Sequence, residues 1–198
     1  MIRYEHSLYN RTHLDDKDLC YIFYEKLSEG YSASDANQIV FNFKIPPNKK
    51  GTKQWYFKEK AIREFASLIC DIFSNIDDNL IIIPAPTSKP RAHPDFDDRL
   101  DAVAQLVQEC KPNIHAEYAL DTIKETTKAH LGGSRNPAEI YANTKWNGIK
   151  NLNSNAVILI DDVLTTGGHF KAYKQMILDN EPGIDFVIGV FLAIQVRK

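Results

Sequence analysis

Residues 156–170 read AVILIDDVLTTGGHF. Five apolar residues, Ala156 to Ile160, lead into the acid pair Asp161 and Asp162, then into Thr165, Thr166, Gly167 and Gly168. A short apolar run bounded by polar and glycine residues suits a strand buried on both faces, here Ala156–Ile160, with a helix following over His169–Asp179. Backbone N–H groups at the start of such a helix lack intrahelical partners and favour an anion. The glycines allow close backbone approach, and the threonines add hydroxyl donors. A phosphate monoester is the natural guest for Thr165, Thr166, Gly167, Gly168 and His169. Asp161 and Asp162 would repel that phosphate but suit the vicinal hydroxyls of a ribose. The stretch therefore reads as a site for ribose 5-phosphate. As a carboxylate at a crevice edge, Asp162 is expected to be dispensable for folding.

Working outward, apolar strands alternate with helical patterns. NLIIIPAP (Asn79–Pro86) reads as a buried strand, DDRLDAVAQLVQEC (Asp97–Cys110) as a helix, NIHAEYAL (Asn113–Leu120) as a second strand, and IDFVIGVFLAIQ (Ile184–Gln195) as a last buried strand. Upstream, Tyr56–Phe73 carries Phe57, Ala61, Ile62, Phe65, Leu68, Ile69 and Ile72 at helical period. This alternation implies an α/β fold, a parallel sheet flanked by helices, with ligands beyond the carboxyl ends of its strands. The first 55 residues read differently: rich in Tyr, Phe, Asn and Asp, with short helical patterns around Asp16–Leu27 and Ser34–Phe41. IPPNKKGTK (Ile45–Lys53) marks a boundary between a small N-terminal appendage, residues 1–55, and a core, residues 56–198.

The 198 residues carry a formal net charge of −2, with 43% apolar and 25% charged residues. That balance gives no reason to expect a nucleic-acid partner, and no apolar run has the length of a membrane span. The opening MIRYEHSLYN lacks an apolar segment, so no signal peptide and a cytoplasmic location are expected. Cys20, Cys70 and Cys110 are too few and too widely spaced for a disulfide framework or a zinc site, and read as buried or inert thiols.

VILIDDVLTTGG resembles the 5-phosphoribosyl-1-pyrophosphate (PRPP) signature of type I phosphoribosyltransferases: four apolar residues, two acids, two apolar residues, then Thr-Thr-Gly. His169 departs from the Thr or Ser that usually closes this loop. The order of strand, Pro-x-Pro, basic loop and Arg-bearing helix in IIIPAPTSKPRAHPDFDDR is similar to the ComF-like branch of the family. The resemblance covers roughly residues 78–198. It implies a type I phosphoribosyltransferase-like fold, with the appendage as a hood that recognises the acceptor. It further implies transfer of ribose 5-phosphate from PRPP to a nitrogenous base, with release of pyrophosphate. Thr87, Ser88, Lys89 and Arg91 would bind the pyrophosphate. Asp161 and Asp162 would hold the ribose, and Arg135 and Lys128, with His130, would offset the leaving charge. Glu125–Gly148 corresponds to a loop that closes over substrate in the family, where ComF-like chains carry residues resembling Arg135 and Asn136 or Asn143. Mg²⁺ would enter with PRPP, held mainly by substrate and without direct protein ligation. A homodimer is compatible with the family's habits. Two other readings stay open: a sensor of PRPP or nucleotide without turnover, and a ComF-like accessory role in DNA handling.

Overall fold

The computed structural model describes residues 1–125 and 135–196. In chain order its elements are β1 (Ile2–Arg3), α1 (His6–Tyr9), β2 (Cys20–Leu27), α2 (Asp35–Phe43), α3 (Lys53–Ile72), β3 (Leu80–Pro84), α4 (Arg99–Cys110), β4 (Ile114–Ala116), β5 (Leu120–Thr122), α5 (Pro137–Ala142), β6 (Thr144–Trp146), β7 (Ala156–Leu164), α6 (Gly168–Asn180) and β8 (Phe186–Val196). Six strands form one sheet in the order β1-β2-β8-β7-β3-β4, parallel except for β1 against β2. β5 and β6 form a separate antiparallel pair. The α/β class and the flanked, mostly parallel sheet are as the alternation implies. No helix among the described residues is long and apolar enough to cross a membrane.

The central strands are apolar on both faces because helices cover both. Ile81, Ile82 and Ile83 of β3 and Val157, Ile158 and Ile160 of β7 are fully buried. α4 packs on α3 and against β3 and β7, and α2 packs on α3. The path β3–α4–β4 runs toward one edge of the sheet, and β7–α6–β8 toward the other. Right-handed crossovers in opposite directions place α4 and α6 on opposite faces. The strand order thus reverses between β3 and β7, which pair directly from Ile81↔Val157 to Pro84↔Ile160.

Three sequence expectations are corrected. The pattern at Asp16–Leu27 is not helical: Cys20–Leu27 is a strand that pairs in parallel with β8, from Cys20↔Gly189 to Leu27↔Val196. Its aromatic and β-branched residues fit a pleated surface, and the open edge of β8 supplies the partner that local pattern cannot reveal. Residues 1–55 are consequently not set apart from the core. They contribute two strands to the sheet, and Tyr4, Leu14, Cys20, Ile22, Val40 and Phe43 lie in the same buried cluster as the central strands. The strand expected at Ala156–Ile160 continues through both acids to Leu164, because the 11-residue β8 keeps pairing with it through Asp161↔Phe191, Val163↔Ala193 and Leu164↔Ile194.

Two finer departures bear on the site. On α3, Phe57 is exposed whereas Lys58, one residue on, is fully buried. The thiols also differ, since Cys20 and Cys70 are buried but Cys110 is exposed.

Candidate functional site

The loops after β3 and β7 rise from adjacent strands at the sheet's carboxyl edge and carry Thr87–Arg91 and Thr165–Gly167. Asp161 and Asp162 sit near the end of β7 itself, and His169 in the first turn of α6. Successive side chains on a strand point to opposite faces, so Asp161 and Asp162 are divided between the two. Asp162 points toward α4. Its Oδ2 accepts from Arg99 Nη2 at 2.6 Å, and its Oδ1 pairs with Lys44 Nζ, just past α2, at 2.9 Å. Arg99 Nη1 donates to Asp97 at 2.6 Å, and Asp97 also accepts from Lys58 Nζ at 2.6 Å. Lys58 donates once more to the Ile45 carbonyl at 2.6 Å and lies over the Trp55 ring. This chain of five charges, Lys44–Asp162–Arg99–Asp97–Lys58, explains why Lys58 is buried in place of Phe57. Burial alone would raise the Asp162 pKa, but Lys44 and Arg99 override it and hold the carboxyl well below the usual carboxylate range. Asp162 is therefore a structural anion, 8% exposed, and not the dispensable edge residue that its sequence position suggests.

Asp161 points to the α6 side. It lines a cavity of about 10 Å³ with Thr165, Gly167, His169, Phe170 and Phe191, which is room for roughly one water. Its carboxylate accepts from the Asp162 backbone N–H at 2.7 Å. Burial, then the neighbouring Asp162 charge, push its pKa up to about 7. The imidazole of His169 stacks on Tyr173, with centroids 5.7 Å apart, and burial lowers its pKa, so it is neutral near pH 7 and offers one N–H.

The Thr-Thr-Gly-Gly turn is built as the sequence suggests, but other parts of this chain pack against it. Gly167 caps α6 in the left-handed conformation, with φ +85°, which is open to glycine at little cost. The Thr166 carbonyl accepts from the His13 backbone N–H at 3.0 Å, and a Cβ on Gly167 would run into the Leu14 side chain. A Cβ on Gly168 would run into the Arg135 carbonyl oxygen. Asp18, 1% exposed, pairs with Lys171 at 2.6 Å and Lys174 at 3.0 Å on α6. Residues 13–18 thus form a strap along the turn, for which the sequence pattern carries no signal.

The basic loop after β3 is largely engaged internally. Both Nη atoms of Arg91 donate to Asp101, and its guanidinium lies over the rings of Phe96 and Tyr118 at 5.3 and 5.0 Å. Asp121 accepts the Arg91 backbone N–H at 3.0 Å, and Thr122 donates its hydroxyl to the Thr87 carbonyl at 2.6 Å, fixing the loop to β5. The Thr87 hydroxyl donates to the Lys89 carbonyl at 3.3 Å, and Ser88 lies between them. Lys89 instead forms exposed pairs with Asp95 at 2.9 Å and Glu125 at 3.5 Å. Such pairs exchange partners at little cost, so Lys89 is recruitable by an anion and Arg91 is not. Asn136 caps α5, accepting the Ala138 N–H at 3.0 Å, and Asn143 bonds the backbone of Lys124 at the base of the β5–β6 pair. Lys128 and His130 lie outside the described residues.

Lys44, Lys58 and Asp97 in the network around Asp162, and Asp18 in the strap, are charged residues that sequence reading passed over. The one available signal was Lys58 itself, a charge three residues before Ala61 on the buried stripe of α3.

The magnesium implied by the resemblance can be tested against this donor set. Among the described residues no three His, Cys, Asp or Glu side chains converge, and Asp162 is already neutralised by Lys44 and Arg99. Asp161 remains as one hard oxygen donor. A magnesium ion keeps several waters and leans on substrate oxygens, so these residues fit a cation carried by substrate and held without a dedicated protein cage.

The sequence matches no protein-family model, and no curated protein is similar to it.

Proposed function

We propose that this chain is a phosphoribosyltransferase-like protein that binds PRPP or a 5′-phosphoribosyl nucleotide at the strand-order reversal between β3 and β7. One observation carries the reading. An anion-suited turn and a loop with a recruitable cation emerge from two directly paired parallel strands whose crossovers leave in opposite directions, the place where open α/β sheets bind ligands.

The turn at Thr165–His169 receives the 5′-phosphate through backbone N–H groups and threonine hydroxyls. Asp161 accepts ribose hydroxyls, and Asp162 acts behind it by fixing Arg99 and Lys44. Transfer breaks the C1–O bond to pyrophosphate and forms a C1–N bond to the acceptor base. Lys89 meets the leaving charge after giving up Asp95 and Glu125, while Arg91 keeps the loop in shape. Magnesium bound with PRPP would neutralise pyrophosphate charge. The protein's own work is positioning and preorganised charge.

A second reading, a PRPP or nucleotide sensor without turnover, is favoured by one feature. Asp162 and Arg91, two of the charges a transferase would turn toward substrate, are held by Arg99 and Lys44 and by Asp101 respectively.

Calorimetric titration with PRPP, with and without Mg²⁺, tests binding, and pyrophosphate release across a panel of nitrogenous bases tests turnover. Binding with release supports the transferase, and binding without release supports the sensor. No heat with any 5′-phosphoribosyl compound at millimolar concentration overturns both.

A further inference from the structure

At the opposite edge of the sheet, two cysteines that are 40 positions apart line one groove. α3 and α4 pack on each other and lead into the adjacent parallel strands β3 and β4, so they run in the same direction and finish together. Cys70 lies in the last turn of α3, and Cys110 is the final residue of α4. The segments beyond them are tied: Lys111 Nζ donates to the Ser74 carbonyl at 2.9 Å, and Asn113 Nδ2 to the carbonyls of Ile76 and Asp78, both at 2.9 Å. A groove of about 260 Å³ between the helices is lined by Arg63, Ala66, Cys70, Asp71, Leu106 and Cys110. Both cysteines therefore open onto the same groove, one from each helix.

We infer that Cys70 and Cys110 form a redox modification site, a vicinal dithiol that a low-molecular-weight disulfide converts into an intramolecular disulfide joining the ends of α3 and α4. The division of roles follows from exposure. Cys110 is exposed and Cys70 buried, so the Cys110 thiolate attacks the external disulfide, forming a mixed disulfide and expelling one small thiolate, which takes up a proton. Burial, with the Cys110 partner, pushes the Cys70 thiol up to about 12, which makes it a poor first attacker. Once Cys110 is capped, Cys70 gives up its proton and attacks the Cys110 sulfur, and the second small thiol leaves with that proton. Two protein S–H bonds are oxidised and one external disulfide is reduced to two thiols. The bridge closes residues 70–110, a loop that contains β3, the basic loop and Arg99, without touching any of them. The inference is independent of the phosphoribosyl reading.

The test is incubation of the full chain with oxidised glutathione, followed by intact mass and peptide mapping without reduction. The expected result is a loss of about 2 Da, a crosslinked peptide pair containing Cys70 and Cys110, and a melting temperature raised by roughly 5–15 °C, since the bridge restricts the unfolded chain. Reductant should reverse all three. Cys110→Ser should abolish them, and Cys20→Ser should retain the mass loss and the crosslink. A stable glutathione adduct on Cys110 without closure, a crosslink that involves Cys20, or an unchanged mass would each overturn the assignment.

Discussion

Arg99 and Asp162, 63 positions apart in the chain, meet at 2.6 Å, with the guanidinium donating to the carboxylate. The contact makes the second acid of the Asp-Asp pair part of the framework that joins α4 to β7. Asp161 is left as the one acid of the pair on the α6 side. A motif read along the sequence treats the two acids as equivalent, but strand geometry makes them different groups with opposite electrostatic behaviour.

Replacing Asp162 with Ala is therefore expected to destabilise the fold. The Asp162 and Arg99 side chains are only 11% and 14% exposed, and removing one partner of a buried pair leaves the other uncompensated, at a cost of about 3–5 kcal/mol. Asp97 still holds Arg99, which favours the lower end. Chemical denaturation of wild type and Asp162→Ala near pH 7 measures the difference. Because its folded pKa is depressed, the contribution of Asp162 is present above the usual carboxylate pKa near 4 and is lost as pH falls toward the folded value. The mutant's deficit should therefore shrink in acid. An Asp162→Ala protein as stable as wild type at pH 7 would remove the framework role.

Asp161 behaves in the opposite sense. Its pKa is raised toward 7, so the native state holds the proton longer than the unfolded chain does. Its favourable contribution is complete below about pH 4 and is lost as pH rises through about 7. Asp161→Asn removes the cost of ionisation while keeping an oxygen for the Asp162 N–H. It is expected to be more stable than wild type by roughly 1–3 kcal/mol at pH 8, with the gain vanishing near pH 4. Denaturation midpoints of both proteins across that range give the answer. A gain at pH 4 as large as at pH 8 would mean that ionisation is not the cause.

Legibility in the sequence followed burial. β3, β7 and β8 were readable because a strand covered on both faces must be apolar throughout, and α3, α4 and α6 because one face repeats at helical spacing. β2 was not readable. Half-covered and flanked on its outer side only by the two-residue β1, it owes its form to pairing with β8, which begins 159 residues after β2 ends. The turn at Thr165–Gly168 was legible because positive φ and close approach demand glycine. The partners of Asp162 were not, since Lys44 and Arg99 reach it from separate elements and only the fold brings them together.

Gly168 tests the packing of that turn. An added Cβ would meet the Arg135 carbonyl oxygen, which is backbone and cannot rotate away. Gly168→Ala should therefore cost roughly 1–3 kcal/mol as an overpacked contact and displace the chain around Arg135. Thermal melting reads the first effect. Hydrogen exchange of the amides of α5, whose N-cap is Asn136, reads the second. A mutant with wild-type melting and exchange would show that the two segments do not press on each other.

The strap formed by residues 13–18 can be released from a distance through Asp18. Burial opposes ionisation of Asp18, yet Lys171 and Lys174 hold its carboxyl below the usual value, so near pH 7 it anchors the strap to α6 as an anion. Asp18→Ala should lower stability by roughly 1–3 kcal/mol, from lost charge-assisted hydrogen bonds, because the two lysines left behind are a quarter to a third exposed and can turn to water. The effect on ligand is the more informative measurement. The strap keeps the Thr166 carbonyl occupied by the His13 N–H and backs Gly167 with Leu14, so it helps to hold the turn in the geometry that presents N–H groups to an anion. Losing that preorganisation makes the ligand bear the ordering cost, and affinity for a 5′-phosphoribosyl compound should fall roughly tenfold, equivalent to about 1.4 kcal/mol. Calorimetry on Asp18→Ala at a temperature where both proteins are folded separates this from simple instability. Tighter binding in the mutant would show instead that the strap is a cover which must lift before ligand can enter.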